Sequence, residues 1–271
     1  MTPARANRSD FELLTVATLR IYANSLATAA RGVLRNWWLV PLHIVVFIAG
    51  GLLVRLAVAL LGPLAGGFAA ALILAVVLAF YLSTVAAAAE KERLILQELW
   101  PRTLALFSPL LGVLFALFIL NTVAAMALRT PDSQWILMAI HLVVAVLFNT
   151  LPEAIYNGSR SVSEIFSECL EFMRENFIEW FLPLVIIGLP LFFAYGFDLT
   201  LRLALTVAMI NPLRYVDVFM GALLQAPLLS AVLLWTVLLY LFYFAFAFRG
   251  ALYHSLSTST RRKRIYGERT R

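Results

Sequence analysis

Stretches of roughly 20 apolar residues recur along the whole chain, at 37–60, 64–88, 103–128, 134–152, 178–197 and 219–248. Each is long enough to cross a hydrocarbon core of about 30 Å. A segment in lipid has to satisfy its own backbone hydrogen bonds, so all six read as helices, and the alternation of a barrel strand is absent. Composition narrows the choice further: 62% of the 271 residues are hydrophobic, 13% are charged and the mean hydropathy is +0.90. Soluble domains run at about 45–50% apolar and about 25% charged. A soluble globular fold is thereby excluded, and so is a disordered chain. The one cysteine excludes an internal disulfide and any Cys-based zinc or iron–sulfur site.

The distribution of charge orients the spans. Met1–Arg35 carries Arg5, Arg8, Asp10, Glu12, Arg20, Arg31 and Arg35 with no compact apolar stretch and no small-residue cleavage site, so the full chain is expected in the mature protein. With six spans, one face receives Arg5, Arg8, Arg20, Arg31, Arg35, Lys91, Arg93, Arg102, Arg160, Arg174, Arg249, Arg261, Arg262, Lys263, Arg264, Arg269 and Arg271. The other receives Arg55, Arg129, Arg202 and Arg214, a division of 17 to 4 among the 21 Lys and Arg. The positive-inside bias predicts a multi-pass protein of a bacterial cytoplasmic membrane with both termini in the cytoplasm. The net charge of +6 and pI near 9.8 do not signal nucleic acid, because the positive residues flank apolar runs rather than forming a patch on a soluble domain. Residues 198–217 contain Arg202, Asn211, Pro212 and Arg214; a seventh crossing there would send Arg261–Arg264 outside, so the segment reads as outer interfacial or re-entrant. Val218–Phe248 exceeds one perpendicular span, and Pro227 marks either a kink or the true start.

A repeat underlies the layout. Trp38-Leu39-Val40-Pro41-Leu42 is echoed by Trp180-Phe181-Leu182-Pro183-Leu184, 142 residues later, and more loosely by Trp100-Pro101-Arg102 after Glu90–Glu98. The predicted plan is all-α: three membrane hairpins, each preceded by a cytoplasmic amphipathic helix. The divisions are a basic N-terminal segment 1–36, four spans over 37–152 with an amphipathic linker 89–102, an acidic amphipathic helix 153–177, two spans over 178–250 around 198–217, and a basic tail 251–271.

Two of the amphipathic helices differ in sign. Leu19, Tyr22, Leu26, Ala30, Val33 and Trp37 recur at steps of three and four, with Arg20, Asn24, Thr28, Arg31 and Arg35 opposite them. That is the form of a helix lying on anionic headgroups, so membrane lipids are expected partners and bound lipids are expected. In the third unit, Val162, Ile165, Phe166, Cys169, Phe172, Met173 and Phe177 make the apolar face, and Glu164, Glu168, Glu171, Glu175 and Glu179 make an acidic row. Like charges four apart disfavour a helix. Either the row faces the basic first helix or the tail residues Arg261, Arg262, Lys263 and Arg264, within one chain or between subunits, or it is a solvated face.

Signals of chemistry are sparse. His43, His141 and His254 are not at ligand spacing; His43 and His141 either meet in the bundle or hydrogen-bond to separate neighbours. Arg55, inside the first apolar run, is either a functional charge or a side chain reaching the outer interface. Asn121, Asn149 and Glu153 suit capping or interhelical bonding, and Asp132, Asp198 and Asp217 are too dispersed for catalysis. Gly50, Gly51, Gly62, Gly66 and Gly67 suit close helix packing and a tight turn, and Tyr240–Phe248 suits an interfacial aromatic belt. No Walker loop, Rossmann glycine pattern or nucleophile elbow is present. No catalytic residue, metal or cofactor is predicted.

The segments Arg35-Asn36-Trp37-Trp38 and Glu175-Asn176-Phe177-Ile178-Glu179-Trp180, with the repeated layout, resemble the membrane domain attached to some bacterial glycerophosphodiester phosphodiesterases and its free-standing relatives. The soluble phosphodiesterase domain is lacking, so the resemblance carries over no catalytic residues and implies a non-enzymatic membrane module. The expected function is a non-catalytic scaffold that organises membrane or partner proteins as a homo- or hetero-oligomer. The alternative is a transporter or permease subunit for a small or lipid-like substrate, since transporter folds often use repeats.

Overall fold

A computed structural model describes residues 10–90, 93–128, 134–158, 161–208 and 228–270, and the regular structure among them is entirely helical. The helices are α1 (Asp10–Arg35), α2 (Leu39–Ala89), α3 (Leu96–Ala127), α4 (Gln134–Leu147), α5 (Leu151–Tyr156), α6 (Val162–Ala208), α7 (Leu228–Ser257) and α8 (Arg261–Arg269).

The longest element, α2, is not straight. Gly62 has φ 76° and ψ 178°, and Pro63 follows it. Glycine enters positive φ without the Cβ penalty, and proline withholds the N–H that would continue the ladder. In a straight helix, His43 and Thr84 would be about 60 Å apart at 1.5 Å per residue. Instead the His43 ring nitrogen lies 2.8 Å from the Thr84 hydroxyl, and the His43 and Tyr81 rings are 5.1 Å apart. The chain therefore reverses at Gly62, and the base of α2, where Leu39 and Ala89 lie, is the end remote from that turn.

Among the described residues, two helices, Leu39–Ala89 and Leu96–Ala124, are long and apolar enough to cross a membrane. Within their most apolar stretches only 11% and 17% is buried against the rest of the protein. A helix in a soluble core buries most of such a stretch, whereas here Leu56, Leu64, Phe68, Phe115 and Phe118 are exposed. The interior lies nearer the base. Phe47, Tyr81 and Val85 of α2 pack on Tyr243, Phe246 and Ala247 of α7. Ile155 of α5 joins Leu82, Leu110, Ile165 and Cys169. Phe172 and Trp180 of α6 close on Leu252, Tyr253 and Leu256.

Several boundaries differ from the sequence reading, each for a local reason. The linker 89–102 is not an amphipathic helix: Ile95 is extended (φ −104°, ψ 142°), Leu94 is buried, and α3 starts at Leu96 and runs through Trp100 and Pro101. The Leu94 N–H is taken instead by the Asn36 side chain at 3.1 Å. Residues 153–177 are not one helix, because α5 ends at Tyr156 and α6 begins at Val162. Pro152, in the first turn of α5, restricts Leu151 and separates α5 from α4. Ser161 and Glu164 bond to each other's backbone N–H at 3.4 and 2.9 Å, a capping box that starts α6 afresh.

The two Trp–Pro copies also sit in different backbone. Trp38 follows a break at Asn36–Trp38, whereas Trp180 lies inside α6, which continues unbroken from Val162 to Ala208 and so includes 198–208 of the proposed interfacial segment. Residues 209–217 of that segment, and 219–227 of the last predicted span, lie outside the described residues. Helix α7 extends to Ser257, beyond the predicted end of its span. Tyr243 and Phe246 are core residues, not an interfacial belt, because they fill the space between α7 and α2.

Gly62→Ala is expected to lower unfolding stability in mild detergent by about 1–3 kcal/mol, the cost of placing a Cβ at positive φ with ψ near 180°, a region essentially confined to glycine. Gly67→Ala, where an added Cβ meets nothing within 4 Å, is the control. Equal loss from both variants would refute the assigned role of Gly62.

Candidate functional site

The polar groups of the described chain gather at the base, around the C-terminal part of α7. The ionic centre is Arg249 of α7 with Glu153 of α5, whose side chains are 6% and 1% exposed. Arg249 Nε donates to Glu153 Oε1 at 2.9 Å and Nη2 to Oε2 at 3.1 Å. Nη2 also donates to the Asn149 carbonyl at 2.6 Å. That carbonyl lies in the turn between α4 and α5, where helix ends leave acceptors unfilled. The Asn149 side chain accepts the Trp180 indole N–H at 2.9 Å, and the Arg249 guanidinium lies 5.1 Å from the centre of the Trp180 ring. Charge, hydrogen bonding and cation–π contact thus join α5, α6 and α7 through four side chains.

A second group docks α8. Arg261 makes paired bonds with Glu179 at 2.8 and 2.8 Å, and Arg264 Nη2 donates to Asn176 at 3.1 Å. At the far end of α8, Glu268 pairs with Arg20 of α1. The Tyr22 hydroxyl donates to the Glu179 carbonyl at 2.6 Å, and the Tyr253 hydroxyl donates to Glu168 at 2.8 Å. Burial, and secondarily the Glu179 charge, push the Tyr22 phenol up to about 12. Burial likewise pushes the Cys169 thiol up to about 12, which disfavours the thiolate at neutral pH.

The acidic row divides along the helix. Glu179 is buried and Glu168 partly buried, whereas Glu164, Glu171 and Glu175 are exposed. At about 100° per residue, Glu164, Glu171 and Glu175 fall within about 40° of one another, and Glu168 and Glu179 lie on the side toward Ile165 and Phe172. The drift in spacing, visible in the sequence, is the signal that separates the two sets.

Of the basic candidates, Arg20 reaches α8, Arg31 donates to the Ala27 carbonyl at 3.0 Å, and Arg35, Arg262 and Lys263 are exposed. Arg264 is buried. His43 and His141 do not meet: His43 is buried against Thr84, and His141 lies 2.8 Å from the Asn121 side chain. The separation follows from the packing of the base of α2 against α7, which encloses His43 between Tyr81 and Tyr243. Arg55 is exposed, in the part of α2 before Gly62. Arg249 entered the sequence reading only as one charge among many. Its signal was position: an arginine alone between Phe248 and Gly250, and a glutamate alone in Leu151-Pro152-Glu153-Ala154, are isolated opposite charges in apolar surroundings.

No family model, curated protein or solved structure matches this chain.

Glu153→Ala leaves the Arg249 charge buried without its carboxylate, and is expected to cost about 3–5 kcal/mol in detergent unfolding. The double variant Glu153→Leu with Arg249→Met should recover most of that stability; a double variant as unstable as the single one would refute pairing as the reason. At pH 8 in detergent, Cys169 should resist maleimide in the folded protein and react once the protein is unfolded. Prompt labelling of folded protein would contradict the enclosure of Cys169 between α5 and α6.

Proposed function

We propose that this is a non-catalytic, multi-pass protein of a bacterial cytoplasmic membrane, with six spans in three hairpins and both termini in the cytoplasm. It organises membrane or partner proteins through the helical layer at its base. One observation carries this reading: long helices with exposed apolar sides meet a base in which charged side chains from α1, α5, α6, α7 and α8 hold one another. Lipid covers the first surface, and the second forms a rigid cytoplasmic platform. The platform presents charge of both signs, with Glu171 and Glu175 exposed on α6 and Arg262 and Lys263 exposed on α8. Such faces select partners by complementary charge.

A transporter needs groups that exchange partners along a path. The buried pair Arg249–Glu153 saturates itself, with Asn149 and Trp180 completing its surroundings. That favours a static organising role over transport.

Photo-crosslinking residues placed at Glu171, Glu175 and Arg262 in cells should give discrete protein adducts in the membrane fraction. Charge reversal by Glu171→Lys with Glu175→Lys should abolish the adduct formed from Arg262 or shift its partner. Absence of any adduct from all three positions, or substrate flux in proteoliposomes of the purified chain, would overturn the scaffold reading.

A further inference from the structure

The bundle covers Leu13 and Val33 of α1 but leaves Leu19, Leu26 and Leu34 outside. Between the larger buried residues Leu13 and Val33 the covered face is small, with Ala17, Thr18, Ser25, Ala29 and Gly32 buried, and a Cβ on Gly32 would collide with the Ala88 backbone. Leu19, Leu26 and Leu34 point away and remain 59%, 50% and 73% exposed, and Trp37 in the following turn is 60% exposed. At about 100° per residue the three leucines span about 80° of the helix. The small buried residues adjoin one edge of that arc, and Arg20, Asn24 and Arg31 adjoin the other.

An amphipathic helix ordinarily buries its leucines in its own protein. Here small residues allow close approach on one side, and Leu19, Leu26 and Leu34 are left exposed while Leu13 and Val33 are buried. The stripe runs into Trp37 and then to α2, whose Val45, Leu52, Leu53 and Leu56 are also exposed. Exposed Leu96 and Trp100 at the start of α3, and Phe177 and Ile178 in α6, add large apolar groups where those helices approach the base. The polar edge of the stripe carries Arg20, held by Glu268 of α8, and the exposed Arg31.

We propose that α1 is a lipid-binding element whose Leu19–Leu26–Leu34 stripe lies in the interface of an anionic leaflet, with the exposed Arg31 at its polar edge on the headgroup side. The proposal rests on the membrane reading above. Continuity with the apolar surface of α2 and the arginine flank select a charged bilayer surface as the occupant. Anionic headgroups attract basic residues beside an inserted apolar face. The consequence for function is that lipid composition sets the seating of α1, and through the Arg20–Glu268 contact the seating of α8.

The test uses the full chain with Cys169→Ala, one spin label per variant, in nanodiscs with or without phosphatidylglycerol. Labels at Leu19→Cys, Leu26→Cys and Leu34→Cys are compared with Asn24→Cys on the polar edge and Leu56→Cys on α2. In anionic discs the three stripe labels should collide readily with oxygen and poorly with a water-soluble nickel chelate, and Asn24→Cys should show the reverse. Omitting phosphatidylglycerol, or adding Arg31→Glu, should move the stripe labels toward nickel accessibility.

Nickel-accessible stripe labels beside a lipid-embedded Leu56→Cys would overturn the α1 proposal alone. A nickel-accessible Leu56→Cys would overturn the membrane reading itself. Stripe labels shielded from both reagents, with spin–spin broadening between copies, would assign the stripe to a second copy and overturn the lipid proposal. Stripe accessibility indifferent to phosphatidylglycerol would overturn the requirement for anionic lipid.

Discussion

The buried pair between Arg249 and Glu153 is the constraint on which the arrangement of the base depends. Taking two charges out of water costs several kcal/mol per ion, recovered only when geometry and secondary hydrogen bonds are complete. Here they are: two bonds to the carboxylate, one to the Asn149 carbonyl, and the Trp180 ring beside the guanidinium. The effect is less on total stability than on uniqueness. A slip of α7 by one turn along its axis, about 5.4 Å, would leave both charges buried and separated. The placement of α5 is thereby tied to α7, and through Asn149 and Trp180 the placement of α6 is tied to both.

The second constraint is steric. Small residues in α1 meet the alanine run Ala86–Ala89 of α2, which lets two helices approach where larger side chains would hold them apart. Gly250 of α7 serves in the same way, since a Cβ there would meet Tyr156 and Ala89. Close approach on these faces decides what is left facing outward. The outward leucines of α1 follow from which side of the helix is small enough to pack.

Much of this arrangement was legible in the residues. The all-helical class and the reversal near Gly62 follow from apolar run length and from a Gly–Pro pair between two runs. The amphipathic faces of α1 and α6 were legible as stripes, and the α1 stripe reads as facing headgroups, but that its member Val33 is covered by the protein was not legible. Periodicity identifies a face without saying what covers it, and here the small residues beside the stripe took the protein contact. Boundaries failed where one side chain decided them. Asn36 captures the Leu94 N–H next to the extended Ile95, and Pro152 with the Ser161–Glu164 cap divides what the charge pattern suggested was one helix. Arg249 and Glu153 escaped notice as a pair because 96 residues separate them, and pairing at that range is a property of the packed chain.

Three asparagines make a further point about how such a chain economises on polar groups. Asn36, Asn149 and Asn176 are each buried at the base, and each accepts through its side-chain oxygen from a distant donor: the Leu94 N–H, the Trp180 indole and the Arg264 guanidinium. An amide carries donor and acceptor without charge, so it joins segments without the desolvation cost of an ion. Asn36 and Asn176 also return a bond to the carbonyl four residues back, to Gly32 and Phe172, which fixes the amide before the distant donor arrives. Ionic contacts among the described residues include Arg249 with Glu153, Arg261 and Arg264 with Glu179, and Arg20 with Glu268. The buried Arg249–Glu153 pair, the partly exposed Arg261–Glu179 and Arg20–Glu268 pairs and the buried amides hold the base together, while Glu171, Glu175, Arg262 and Lys263 stay exposed on α6 and α8. On the proposed scaffold reading, such a base would recognise partners by charge without rearranging its interior.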